Sequence, residues 1–301
     1  MRNFKLKTGI NPIHTIEQEI FERETFQKDP YYGLNAKNEP VQFAVCPGCD
    51  NPIEIIGLYK RLKNTDHPYG KHYPHSVYGL AKYNEQSYIY CPYSRKGETV
   101  TRDSRKSYTG EYEREIYNLM RDQFDRVIYV LSKQLDIKIT MNTARKMLEK
   151  YVRSKGWLYP WATLNNLPWV LGHLSWAKSL YQQPVLKNSS LYEAIVNACP
   201  SAEFMPSQYY SGYEILGAKK GKYLNIEYCM INHKRRIEND INVETMDFLV
   251  RESNRGYENR FFEKQLTIDE KYFLNLVNLS DEQTIRNENL LKIAKEIMTE
   301  I

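Results

Sequence analysis

The chain has 301 residues and a net charge of +5, a mildly basic balance compatible with an anionic partner such as nucleic acid. It has neither an uninterrupted apolar run of about 18 residues nor an apolar leader, so no membrane span or secretory signal is expected and a cytoplasmic setting is. Five cysteines spread over so long a chain exclude a disulfide scaffold and leave reduced thiols or a metal site.

In chain order, Ile13, Ile16, Ile20 and Phe21 recur at helical spacing, and Asp29-Pro30 ends that helix. Val41 to Val45 reads as a short strand. Residues 46–106 carry no long periodic segment. Within them "PIEIIGLYKRL" reads as a strand running into a turn, and "KNTDHPYGKHYPHSVYGL" as a loop with three histidines. "LAKYNEQSYIYCPY" reads as a helical turn feeding Cys91, and "SRKGETVTRDSRKSYTG" as a polar, basic linker.

From residue 110 the pattern turns helical. Ile116, Leu119, Met120, Phe124, Val127, Ile128 and Leu131 line one face. A second helix starts at Thr140 or Asn142 and stops at Gly156. Pro168 opens another, with Trp169, Leu171, Leu174 and Leu180 inward, and Ser190 with Glu193 opens the next. Beyond residue 200 the spacing predicts strands over Tyr223–Ile231 and Val243–Val250, then two helices. The layout is an α+β fold: a small zinc-ribbon-like N-terminal module over 1–106, a central helical domain over 107–198, and a C-terminal β-hairpin with helices over 199–301.

Cys46 and Cys49 stand two residues apart around Pro47-Gly48, a tight turn that aims two thiolates at one point. Zinc takes four such ligands in a tetrahedron. "CPYS" at Cys91 is half of a second pair, with Ser94 where another cysteine would stand, so a histidine must complete the set. The expected ligands are Cys46, Cys49, Cys91 and His72, with His75 as the other choice for the fourth. A redox pair would need to begin a helix, and Pro52 disfavours helical geometry at Asn51. The segment "VCPGCDNP" resembles the first knuckle of zinc ribbons, as in rubredoxin-like and ribosomal modules. The resemblance covers about eight residues and departs at the incomplete second knuckle.

Nucleic acid is the expected partner. Lys219, Lys220, Lys222, Lys234, Arg235 and Arg236 lie at both ends of one predicted strand, interleaved with Tyr223. Arg145, Lys146, Lys150, Arg153 and Lys155 put a basic face on the second helix, the pattern of a recognition helix. Three of the four tryptophans fall within "WATLNNLPWVLGHLSW", a candidate aromatic shelf whose plainer role is core. No phosphate loop, dinucleotide fingerprint, His-Glu-x-x-His or nucleophile elbow occurs. The leading expectation is a zinc-stabilised nucleic-acid-binding protein without catalysis of its own. The alternatives are an enzyme on nucleic acid or nucleotides centred on the histidine loop 67–75, and a protein-interaction subunit using the surface of its 25 tyrosines.

Overall fold

The computed structural model describes residues 1–35, 37–60, 63, 65–94, 100–254, 257–269, 271–280, 283 and 286–299. It mixes helix and sheet, as an α+β chain should. In the N-terminal part, β1 (Asn3–Phe4) pairs with β2 (His14–Thr15), and α1 (Gln18–Thr25) follows. Then β3 (Tyr32–Leu34), β4 (Pro40–Val45), β5 (Pro52–Ile56) and β6 (Tyr69–His72) form an antiparallel sheet in that order. A short helix, α2 (Glu85–Ile89), closes this part. Asn84 caps it through a bond from the Ser87 N–H. Met1, Phe4, Ile16, Phe21, Ile53, Ile55 and the three cysteines Cys46, Cys49 and Cys91 make its own apolar cluster.

The first helix is shorter than its periodicity implies. Ile13 and Ile16 are buried as expected, but His14 and Thr15 are drawn into strand pairing with β1, so the helix starts only at Gln18. Residues 95–99 of the expected linker lie outside the described residues. The rest is not loose: Arg105 donates to the Ser154 carbonyl at 2.5 Å, and Lys106 is buried against Glu113 at 2.8 Å.

The helical layer comprises α3 (Glu111–Asp122), α4 (Phe124–Leu135), α5 (Met141–Arg153) and α6 (Leu167–Leu174). The single apolar stripe predicted through Leu131 is split at Gln123, whose backbone leaves the helical region and lets α4 turn away from α3. Thr140 caps α5 as expected, by accepting from the Thr143 N–H. The stop comes at Lys155 in left-handed conformation, and Gly156 begins a one-turn 3₁₀ segment instead. Next come β7 (Lys178–Ser179), β8 (Pro184–Leu186) and α7 (Ser190–Ala198). Ser189, one residue earlier than read from sequence, caps α7.

Strands β9 (Ala202–Pro206) and β10 (Tyr213–Ala218) join β8 in the order β8-β10-β9. The expected C-terminal hairpin is larger than a hairpin. β11 (Ile226–Glu238), β12 (Ile241–Asn254) and β13 (Tyr257–Ile268) form an antiparallel meander, and β7 extends it in the order β13-β12-β11-β7. Helices α8 (Tyr272–Asn278) and α9 (Glu288–Ile297) end the chain's regular structure. One contiguous apolar cluster joins the helices from Tyr112 onward to the meander and to Met298. The layers press together most closely at Gly172 of α6, where an added Cβ would lie 2.3 Å from Met230 Sδ of β11.

β11 carries a bulge. Ile231 pairs with Asp247, but Lys234 pairs with Thr245, so β11 has one residue more than β12 over this interval. The surplus shifts the alternation. Ile226, Tyr228 and Met230 face the core before it, and His233 and Arg235 face inward after it.

Candidate metal centre and basic surfaces

Cys46 and Cys49 stand in the turn between β4 and β5. Val45 and Pro52 pair across its base, Cys46 N–H donates to the Asn51 carbonyl at 2.9 Å, and Asp50 N–H donates to the Cys46 carbonyl at 3.1 Å. Asp50 takes the left-handed conformation that closes the turn, at φ 58°. The pair therefore sits in a strand-to-strand knuckle and not at a helix start, as Pro52 requires. Cys91 arrives from the end of α2 and His72 from the end of β6. Cys46 Sγ lies 3.6 Å from Cys91 Sγ, and Cys49 Sγ lies 3.4 Å from His72 Nε2. All four donor atoms lie within 4.8 Å of one another, and the group could hold a metal ion. Bonds of about 2.0–2.3 Å in a tetrahedron put neighbouring donors about 3.3–3.8 Å apart, a range that includes both of these contacts.

The second half of the site is not a second knuckle. A short helix delivers Cys91 and an edge strand delivers the histidine, so the likeness to a zinc ribbon stops at the first knuckle. Gly48 makes the convergence possible. A Cβ there would stand 2.8 Å from Pro92 Cγ and 3.4 Å from Cys91 Sγ.

Burial pushes the thiols of Cys46 and Cys91 up, with hydrogen bonds inside the cluster adding to the shift at Cys91. Burial acts the same way on Cys49, but hydrogen bonds from Cys46, Cys91 and His72 outweigh it and bring that thiol well below its usual range. Asn51, fully buried, donates to Cys49 Sγ at 3.3 Å and to the Asn84 carbonyl at 3.0 Å, and accepts from the Asn84 N–H at 2.6 Å. One amide thus ties the knuckle to the helix that carries Cys91. Asn51→Ala should weaken metal retention by about 10–100-fold while the three cysteines remain, as competition with a chromophoric chelator would show. Retention equal to wild type would show that Asn51 only fills space.

Two further supports come from outside the sheet. Tyr112 of α3 donates to the Gly48 carbonyl at 3.1 Å. Lys5, with no exposed side-chain surface, forms an ion pair with Asp50 and donates to the Gly9 carbonyl at 2.7 Å. His67 and His75 remain exposed and join no metal-binding group among the described residues; the ring of His75 packs edge-on against Tyr73 at 5.2 Å.

The basic residues named from sequence do not form one patch. Lys219, Lys220, Lys222 and Tyr223 are exposed in the turn before β11. Lys234 and Arg236 point outward beyond the bulge, about 26 Å from the start of the strand at its usual rise. Arg236 is paired with Glu238. Arg235 departs from the set: its side chain is 6 % exposed, it donates to Glu244 at 3.1 Å and to the Trp161 carbonyl at 2.6 Å, and it lies over the Trp161 ring. The bulge turned this arginine into the core. On α5, Arg145 is paired with Glu296 of α9, and the apolar face of the helix packs into the main core.

Sequence reading missed the polar network around Glu244. His233 Nε2 lies 2.5 Å from Glu244 Oε1, and Tyr159 Oη lies 3.0 Å from His233 Nδ1. Burial lowers the pKa of His233 despite the adjacent carboxylate. A neutral ring would satisfy both partners with Nε2–H donating to the carboxylate and Nδ1 accepting from the phenol. Burial opposes the Glu244 charge, but Arg235, His233 and Asn166 outweigh it and bring the carboxyl down to about 2. His173 packs beside His233 with ring centroids 5.9 Å apart; burial and that neighbour bring it down to about 3. Isolated histidines in apolar segments give no spacing signal, and only the bulge brings His233 to the helical layer.

No protein-family model, curated protein or solved structure matches the chain. Among the described residues no helix is long and apolar enough to cross a membrane.

Proposed function

We propose that the chain is a nucleic-acid-binding protein, without catalysis of its own, whose N-terminal module is held together by a structural zinc ion. The observation that carries the metal assignment is the convergence of Cys46, Cys49, His72 and Cys91 within 4.8 Å. Three thiolates and an imidazole suit zinc, and four protein ligands leave no open position for a reacting water. The five cysteines are free thiols, which fits a reducing, cytoplasmic setting.

The partner assignment rests on charge. Lys219, Lys220, Lys222 and Lys234 are exposed and form no ion pair among the described residues. Phosphates would neutralise them, with Tyr223, 69 % exposed, available for stacking. Binding to mixed DNA and RNA oligonucleotides should therefore be measurable at low ionic strength and fall log-linearly with salt. Replacing Lys219, Lys220 and Lys222 together by Gln should flatten that dependence by a slope of about 2. Absence of binding at low ionic strength would end this reading.

The enzyme alternative has less beneath it, since His72 is drawn into the metal centre and His67 and His75 stand apart from it. The protein-interaction alternative retains exposed tyrosines such as Tyr78 and Tyr209, and light scattering of the purified chain would test for self-association.

A further inference from the structure

The tryptophan-rich segment and the basic helix α5, separate motifs in the sequence, meet on one surface. Trp169 is buried and Trp161 lies under Arg235, but Trp176 is 48 % exposed at the end of α6. Its backbone is left-handed, at φ 62°. A position just past a helix end in that conformation ordinarily holds glycine, and a bulky residue there is strained.

Two cations lie over the indole ring. Arg102 Cζ lies 5.2 Å from the ring centroid, and Lys150 Nζ of α5 lies 5.1 Å from it. Lys146 lies one turn before Lys150 on α5, and both repel the charge of Lys178 in β7. Burial, then Lys150, then Lys146 lower the pKa of Lys178. Asp103 registers on Arg102 through space, yet none of the four cations forms an ion pair with a carboxylate among the described residues. Arg102 donates to the Met230 carbonyl at 2.7 Å, and a cluster of like charge without a carboxylate ion pair calls for an anionic partner, as the aromatic ring at its centre calls for a flat one.

We propose that the surface around Trp176 binds single-stranded nucleic acid, with an unpaired base stacked on the indole and the flanking phosphates held by Arg102, Lys146, Lys150 and Lys178. The base must be unpaired, because a duplex keeps its faces stacked on one another. The proposal rests on the nucleic-acid reading above and assigns it a surface that the strand-end lysines do not include.

Fluorescence anisotropy with a labelled twenty-residue oligothymidylate tests it, with a duplex of equal length as comparator. Trp176→Ala should weaken single-strand binding roughly tenfold or more, and Trp176→Phe should retain most of the affinity. Lys146→Gln with Lys150→Gln should lower the salt slope by about 1.4. Duplex affinity should change less than about threefold in Trp176→Ala. The exposed ring contributes little to the core, and equal thermal midpoints would confirm that the variants fold.

If the wild-type chain binds the oligomer and Trp176→Ala binds it equally well, the surface assignment is overturned and the wider reading stands. If the wild-type chain binds neither oligomer nor duplex at low salt, both fall. Anionic phosphatidylserine vesicles bound in a Trp176-dependent way, with oligomer affinity unchanged by the substitution, would also overturn it in favour of a membrane surface.

Discussion

The chain prepared without chelator should carry about one zinc ion, and Cys46→Ser and Cys91→Ser should each lose it. Structural zinc sites contribute on the order of 10 kcal/mol or more of binding free energy that is also folding free energy. The cysteines belong to the apolar cluster that also holds Phe4, Phe21 and Ile53, so loss of the ion should loosen that whole part. The helices and the meander have their own cluster and should persist. Metal content by atomic emission, with hydrogen exchange read separately over residues 1–94 and 100–299, would show both effects. His72→Ala should reduce retention, and His75→Ala should leave it unchanged. Stoichiometric zinc in Cys46→Ser and Cys91→Ser alike would remove the site.

Acid should unfold the helix–sheet core through the network at Glu244. His173 titrates at about 3 when folded and near 6.5 when unfolded, so the unfolded chain takes up a proton that the folded chain refuses. Stability from this histidine is therefore present above 6.5 and lost as pH falls from there towards 3. Glu244 acts in the same direction and lower: its folded value near 2 against 4.5 unfolded removes stability as pH falls through that interval. Each shift amounts to roughly 3–5 kcal/mol, a large share of a total of about 5–15 kcal/mol. The urea midpoint should drop between pH 7 and pH 4, and the drop should be smaller in His173→Gln, which can keep a donor to the Met230 carbonyl. Acid also strips metal ligands, so the comparison between wild type and variant is the decisive one. Identical pH dependence in both would exclude His173 as the source.

The group of Cys46, Cys49, Cys91 and His72 that could hold a metal was legible because its signal is largely local. A two-residue spacing around Pro-Gly fixes a turn, and the missing cysteine at Ser94 says that a histidine must supply the fourth donor. The choice of His72 over His75 needed the pairing of β6 with β5, which sets His72 opposite Ile53. The helical stripe was legible for the same reason, and its break at Gln123 was not, because no proline or glycine marks it. β13 escaped because its inward residues, Phe262, Leu266 and Ile268, are too few to stand out among the charged residues of "YENRFFEKQLTI". Arg235 was misplaced because alternation cannot be counted through a bulge. His173 and His233 are sixty residues apart in sequence, and only tertiary packing brings them together.

The bulge in β11 also bears on how this strand can change length. Its surplus residue is one that the sheet could give up. Deleting Asn232 would restore strict alternation and leave His233 and Arg235 still facing the helices, at the loss of the bond from Asn232 to Asp247. Deleting Cys229 would instead turn Met230 out of the core, away from the space that Gly172 leaves for it. In this strand the loss of one residue is tolerable only where the surplus lies, between Met230 and His233.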